Sequence, residues 1–245
     1  MQSMSRRLLF LALLAASPGC AGSAGAQAVG PLGPPGLAAE RFPRPARPVA
    51  GIVSDRWQTE DTRERAGEAA TVMRLLDVRP GMAVADIGAG SGYYTVRLAR
   101  RVAPDGRVLA QDVRADYLAG LRRRVAQEGL GNVAVGLGDA HDPRLPPGSA
   151  DLVLLVHMYH EVEQPFGLLY NLLPALRPGA RVAILDADRA TANHGTPPGL
   201  LRCELEAVGY RQAAFHWMAE RTEYLAVFEP PAAPPAPEAI RPCRP

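Results

Sequence analysis

The stretch "VADIGAGSGYYTVRLA", residues 84–99, decides the fold. Apolar residues around Asp86 lead into Gly88, Gly90 and Gly92 at every second position, and residues at helical spacing follow. A short apolar run reads as a strand buried on both faces. The glycines mark a turn into a helix, where the backbone must lie bare and φ is free to turn positive. Open α/β sheets bind their ligands at such a turn, beyond the carboxyl end of a strand. The glycine spacing is G-x-G-x-G. The dinucleotide fingerprint G-x-G-x-x-G/A would need a small residue at position 93, which holds Tyr93.

Outward from this turn, strand and helix patterns alternate. Residues 62–78 predict a helix that stops at Arg-Pro-Gly, and 82–88 a strand. Helix 93–102, strand 107–113, helix 115–129 and strands 132–138 and 150–158 follow. Residues 164–179 predict a helix shortened or kinked at Pro174, ahead of strand 180–188 and helix 197–210. Strands 212–219 and 223–230, joined by a short turn, close the pattern as a hairpin. The alternation specifies an α/β, doubly wound, mostly parallel sheet with a terminal antiparallel strand.

The flanks differ in kind. Residues 1–26 read as an export signal, with Arg6 and Arg7, the apolar core "LLFLALLAA" and a small-residue cleavage site. That core is shorter than the roughly 20 residues a membrane span needs, so the mature chain is expected in the periplasm or outside the cell, with no stable membrane span. A second reading makes Cys20 of "SPGC" a lipid anchor, although Ser17 stands where an aliphatic residue belongs. A third starts the protein at Met4 or later and leaves it cytoplasmic. Residues 27–49 form a Pro/Gly-rich linker and 230–245 a Pro-rich tail, neither expected to carry a packed element, so the folded domain is 50–229. Cys203 and Cys243 either pair in an oxidising compartment or serve separately, Cys203 packing a helix; the packing role is preferred. Their spacing supports no metal site. The net charge of +2, from 27 basic and 25 acidic residues, argues against a nucleic-acid partner. "RLARR" (97–101) and "RRR" (122–124) read as solvated helix faces.

"VADIGAGSG", with an acid two residues before its first glycine, resembles the first motif of class I S-adenosylmethionine-dependent methyltransferases. The resemblance covers residues 62–229 and implies their Rossmann-like, seven-stranded fold, with S-adenosyl-L-methionine as cofactor. It also implies which residues meet that cofactor. Asp86, Gly88, Ala89, Gly90 and Gly92 belong to the glycine turn. Asp112, 20 residues after Gly92, stands with Val113 where a carboxylate meets ribose hydroxyls. Asp139 and Ala140 follow the third strand, beside the adenine, and His157 ends the fourth. "HMYHEVEQP" (157–165) is similar to the segment after strand four in enzymes that methylate small molecules. The threonine motif of isoaspartyl-repair enzymes is missing, as is the Asn-Pro-Pro-Tyr-like signature of enzymes that methylate nucleic-acid bases or protein glutamine.

Methyl transfer from a sulfonium is an in-line displacement, so alignment dominates, and a base is needed only where the acceptor loses a proton. His160 is the favoured base, Tyr159 a pocket wall, and His157 a further catalytic candidate or a strand cap. Glu161 is a further base candidate or a cap for the next helix, Asp186 is expected to orient an acceptor or lie as a solvated loop acid, and His194 to reach the active-site mouth or, the preferred reading, to sit in a surface turn. One of Tyr93 and Tyr94 is expected under the helix, the other near the methionine part of the cofactor, and Trp57 in a lid. Two other functions are weighed: a non-catalytic exported module binding the same nucleoside, and a nicotinamide oxidoreductase. The glycine spacing and the lack of a Tyr-x-x-x-Lys pair count against the latter.

Overall fold

The computed structural model describes residues 29–52 and 59–244. The signal-like segment, Cys20 and Trp57 lie outside them. Seven strands form one sheet in the order β3-β2-β1-β4-β5-β7-β6. These are β1 (Ala83–Ile87), β2 (Arg107–Asp112), β3 (Val133–Leu137), β4 (Ala150–Val156), β5 (Leu176–Ala187), β6 (Arg211–Met218) and β7 (Glu223–Glu229). The first five pair in parallel, while β7 runs antiparallel between β5 and β6. The chain leaves β1 toward β2 and β3, then crosses back to β4. The glycine turn therefore sits where the strand order reverses, the ligand position of this architecture.

Helices cover both faces. They are α1 (Glu60–Arg65), α2 (Glu68–Leu75), α3 (Tyr93–Val102), α4 (Ala115–Gln127), α5 (Pro165–Leu172) and α6 (Pro198–Ala207). Val72, Leu76 and Leu98 pack on one face of the sheet, and Phe166, Leu169, Leu201 and Leu205 on the other. Every residue of β1 is buried, as a strand between two helical layers requires.

Two expected helices are cut. The run 62–78 breaks at Gly67, whose φ of 64° turns the chain and buries the first residue of α2, Glu68. The run 164–179 ends as α-helix at Leu172, continues as a single 3-10 turn over Leu173–Ala175, and enters β5 at Leu176. Pro174 explains the change, because its nitrogen cannot donate and its ring crowds the preceding turn.

The two Pro-rich flanks correct the expectation of unpacked segments. Leu32 packs on Gly136, where a Cβ would meet Leu32 Cγ at 2.3 Å. The Gly36 amide donates to Asp142 Oδ2 at 2.6 Å, and Leu37 and Asn171 exchange two hydrogen bonds. Phe42 and Arg47 are buried. At the other end Pro237, Ile240 and Cys243 are buried, and Glu238 forms an ion pair with Arg41. An extended proline-rich chain needs no continuous ladder, so it lies over the domain as a strap held by side chains and a few backbone hydrogen bonds, such as that from the Leu137 amide to Gly30 O. Cys203 of α6 is disulfide-bonded to Cys243, which corrects its reading as a packing residue. On the basic helix faces, Arg97 pairs with Glu60 and Glu64, Arg100 and Arg124 pair with Glu128, and Arg101 donates to Val78 O. No helix among the described residues is long and apolar enough to cross a membrane.

Candidate active site

A cavity of about 260 Å³ opens at the carboxyl ends of β1, β2 and β4, floored by Gly88, Ala89 and Gly90. Gly88 and Gly90 have φ of 70° and 54°, which only glycine adopts without strain. A Cβ on Gly88 would meet Met158 Cγ at 2.8 Å, so the turn touches the segment after β4. Gly92 does not line the cavity. It starts α3 at φ 90°, and a Cβ there would lie 2.3 Å from Leu121 Cδ1 of α4.

Asp112 ends β2 and lines the cavity. Its Oδ2 accepts from the Gly90 amide and its Oδ1 from the Arg114 amide, each at 2.9 Å. Burial pushes its carboxyl up, against the downward pull of the Gly90, Arg114 and Val113 amides. The acid thus fixes the glycine turn and still faces the cavity with unused lone pairs. Val113, Asp139 and Ala140 line the same end. Asp86 does not: it is buried, and its Oδ2 accepts from the Thr95 hydroxyl at 2.6 Å. Burial pushes Asp86 up to about 6, partly offset by Thr95 and Arg63. Its place is under the glycine turn, tying β1 to α3.

Two residues that sequence reasoning passed over, Arg63 and Glu68, meet beside the glycine turn. Arg63 lines the cavity, stacks 4.0 Å from the Tyr93 ring centroid and reaches Glu68 Oε1 at 2.6 Å. Glu68 also accepts from the Tyr94 hydroxyl at 2.9 Å and lies 3.7 Å from His157 Nε2. Burial alone would raise the Glu68 carboxyl, but His157 and Arg63 outweigh it and hold it at about 2. Tyr93 lines the cavity, and Tyr94 is buried with its hydroxyl on Glu68. The buried acid would have been visible only with Gly67 recognised as a helix break.

The opposite wall comes from the segment after β4 and the loop after β5. His157, at φ 51°, lines the cavity, and its amide donates to Leu185 O at 2.8 Å. His160 lines it from a one-turn 3-10 helix, Tyr159–Glu161, and is 3% exposed. Its Nδ1 lies 3.0 and 3.2 Å from the two oxygens of Asp186. Asp186, the acid expected in solvent or facing an acceptor, is fully buried. It accepts from the Ala187 amide at 2.9 Å and the Thr196 hydroxyl at 2.8 Å. An oxygen pair ringed by donors assigns the proton between it and His160 to Nδ1, which leaves the Nε2 lone pair for the cavity. His194 corrects its surface-turn reading: it lines the cavity, its ring edge-on to His160 with centroids 5.5 Å apart. Glu161 also lines the cavity, and the N-cap of α5 is Gln164 instead. Tyr159 is no wall. It is buried away from the cavity, its hydroxyl donating to Glu204 Oε2 at 2.9 Å. Burial, then Glu204, raises its phenol well above the usual range.

A sheet of this order with a glycine turn at its switch point and an acid closing β2 defines the class I methyltransferase fold. Comparison with known proteins agrees. A family profile described as "Methyltransferase domain" matches residues 84–179. Nocamycin O-methyltransferase of Saccharothrix syringae is 39% identical over 85 residues, 35% of this chain and 30% of that protein. A ubiquinone/menaquinone biosynthesis C-methyltransferase of Pseudomonas aeruginosa is 30% identical over 122 residues, 49% of this chain and 48% of its own. The chain thus spans between about a third and a half of the length of these curated relatives. A solved SAM-dependent methyltransferase from Aquifex aeolicus shares the fold at TM-score 0.63 and 24% identity, over 68% of this chain and 92% of that one. Residues 84–179 thus match a methyltransferase domain, and the chain shares its fold with S-adenosylmethionine-dependent methyltransferases. The cofactor this implies is S-adenosyl-L-methionine, and the residues fit it: a glycine floor at positive φ and an Asp112 carboxylate with lone pairs to spare.

Proposed function

We propose that the chain transfers the methyl group of S-adenosylmethionine to a hydroxyl oxygen of a small molecule, with His160 accepting the hydroxyl proton. The observation that carries this reading is the His160–Asp186 pair on the cavity wall across from the glycine turn. Gly88, Ala89 and Gly90 admit the cofactor to the backbone, Asp112 and Val113 hold its ribose, and Asp139 and Ala140 border its adenine. Arg63, beside Tyr93, offers its charge to the cofactor's carboxylate. When bound, the cofactor supplies a methyl on a sulfonium. As the new oxygen–carbon bond forms and the carbon–sulfur bond breaks, His160 Nε2 takes the hydroxyl proton and Asp186 stabilises the resulting imidazolium. The buried rings and backbone around the pair keep it in one orientation, which favours alignment.

An oxidising compartment is part of the proposal. The signal-like residues 1–26 and the Cys203–Cys243 disulfide both favour an exported protein. Mass measurement of the mature amino terminus tests it, with a new terminus near residue 27 expected and an intact Met1 counting against it.

Calorimetry with S-adenosylmethionine, followed by transfer of labelled methyl to a panel of phenols and alcohols, tests the reaction. The His160→Ala variant should bind the cofactor normally and lose at least a hundredfold in transfer rate, the usual scale of general-base catalysis. A wild-type chain that binds without transferring supports the non-catalytic module instead. Transfer at full rate in His160→Ala refutes the assigned base.

A further inference from the structure

Two short turns bring three metal-type donors together on the cavity wall. His160 and Glu161 come from the 3-10 turn after β4, and His194 ends the 3-10 turn Thr191–Asn193 after β5. One donor atom of each lies within 4.8 Å of the other two, and His160 Nε2 is 4.0 Å from Glu161 Oε1. We infer that His160, Glu161 and His194 form a binding site for a divalent transition-metal ion of the zinc class.

Two imidazoles and one carboxylate suit zinc, cobalt and iron better than magnesium or calcium, which favour oxygen alone. Tetrahedral ligands about 2.0–2.1 Å from zinc stand about 3.4 Å apart. The donors stand farther apart than that, up to 4.8 Å, so occupancy requires the three side chains to draw together. A second, independent feature points the same way. Histidine ligands commonly give their other ring nitrogen's proton to a carboxylate, which fixes the tautomer and raises the basicity of the ligating nitrogen. Asp186 holds His160 Nδ1 in this way, and is itself held by Thr196 and Ala187. Three protein ligands leave a fourth position on the cavity side, as in metal sites that bind a further group.

The other cluster of this type in the described residues, Glu68, His157 and Glu223, does not compete. The Arg63 guanidinium already sits 2.6 Å from Glu68, where it supplies the positive charge a cation would bring.

Metal binding here stands without the proposed reaction, but its consequence rests on it. A lone pair on His160 given to a cation cannot also take an acceptor's proton, so metal occupancy and proton uptake exclude each other.

The test is cobalt(II) titration of tag-free, chelator-treated full-length protein, followed by visible absorbance, with zinc(II) displacing the cobalt. One equivalent with a tetrahedral spectrum is expected. The variants His194→Ala and Glu161→Gln should each weaken cobalt binding at least tenfold, and Asp186→Asn 10–100-fold through His160. S-Adenosylmethionine titration of the same variants reports that each is folded. No cobalt spectrum in the wild type, or equal affinity in His194→Ala, overturns the inference. Cobalt binding by a chain that fails to bind S-adenosylmethionine would sink the proposed function and leave the metal site standing.

Discussion

Asp112 offers the sharpest test of how the cofactor is held. Its two oxygens already receive the Gly90 and Arg114 amides, so the carboxylate cannot swing away from the cavity. A ribose diol adds two hydroxyl donors to the same anion. Hydrogen bonds to a charged acceptor contribute about 1.5–3 kcal/mol each, so Asp112→Ala removes about 3–6 kcal/mol of binding. At about 1.4 kcal/mol per factor of ten, affinity falls by about 10² to 10⁴. Calorimetry with S-adenosylmethionine and with adenosine measures it. The loss should be of similar size for both, because both carry the ribose. Asp112→Asn keeps one acceptor oxygen and should lose less. Circular dichroism establishes that each variant is folded, since the glycine turn also leans on this acid. A change below threefold for Asp112→Ala would refute the ribose assignment, and a loss confined to S-adenosylmethionine would mean that Asp112 meets another part of the cofactor.

Three further outcomes concern stability. Asp86 keeps its proton up to about 6 in the folded chain against 3.8 as a free side chain, so its contribution favours folding below about pH 4 and is lost as pH rises toward 6. Two pH units correspond to about 3 kcal/mol, so Asp86→Asn should raise the urea midpoint relative to wild type at pH 8 and not at pH 4; an equal gain at both would contradict the account. Gly92→Ala places a Cβ against Leu121 at a φ of 90° and should cost about 1–3 kcal/mol, read as a lower melting temperature. Cys203→Ser opens a loop of 40 residues, which chain entropy values at about 4 kcal/mol; reductant should destabilise the wild type as much and leave the variant unchanged.

The sheet was legible in the sequence because its signals are local. An apolar run, a bare turn and an amphipathic helix each lie within a dozen residues, and their alternation admits few topologies. Even the glycine floor of the cavity and Asp112 follow, since both sit at strand ends. The histidine wall of the cavity was half legible. His160 stood out as a histidine after β4, but nothing in "AILDAD" marks Asp186 as the acid under its ring. That pairing depends on β4 and β5 lying side by side, with Leu154 opposite Ala183 and Val156 opposite Leu185. Tyr159 and His160 are adjacent, yet a single 3-10 turn sends one into the core and the other to the cavity. Helical or strand periodicity cannot foresee that division. His194 was misread for a related reason: a polar loop with Pro and Gly reads as surface until the carboxyl edge folds it inward.

The flanks show what a compositional reading misses. Proline content foretells the absence of regular structure and says nothing about burial. Arg47, in the segment read as linker, has a fully buried side chain, 2.8 Å from Glu204 of α6. Glu204 also takes the hydroxyl of Tyr159, the residue before His160, and the Ala50 amide donates to His160 O at 3.1 Å. Cys203, next to Glu204, anchors the other strap. Both straps therefore end on α6, and the amino-terminal one also on the turn that carries His160. A buried ion pair broken on one side leaves an uncompensated charge and costs about 3–5 kcal/mol, far more than an unpacked linker would register. Arg47→Ala should accordingly lower the melting temperature and slow methyl transfer by loosening the His160 turn, while affinity for S-adenosylmethionine, held by the glycine turn and Asp112, falls less than the transfer rate. Were Arg47→Ala as stable and as active as wild type, residues 29–50 would be the spacer that their composition suggests, and the catalytic wall would stand without them.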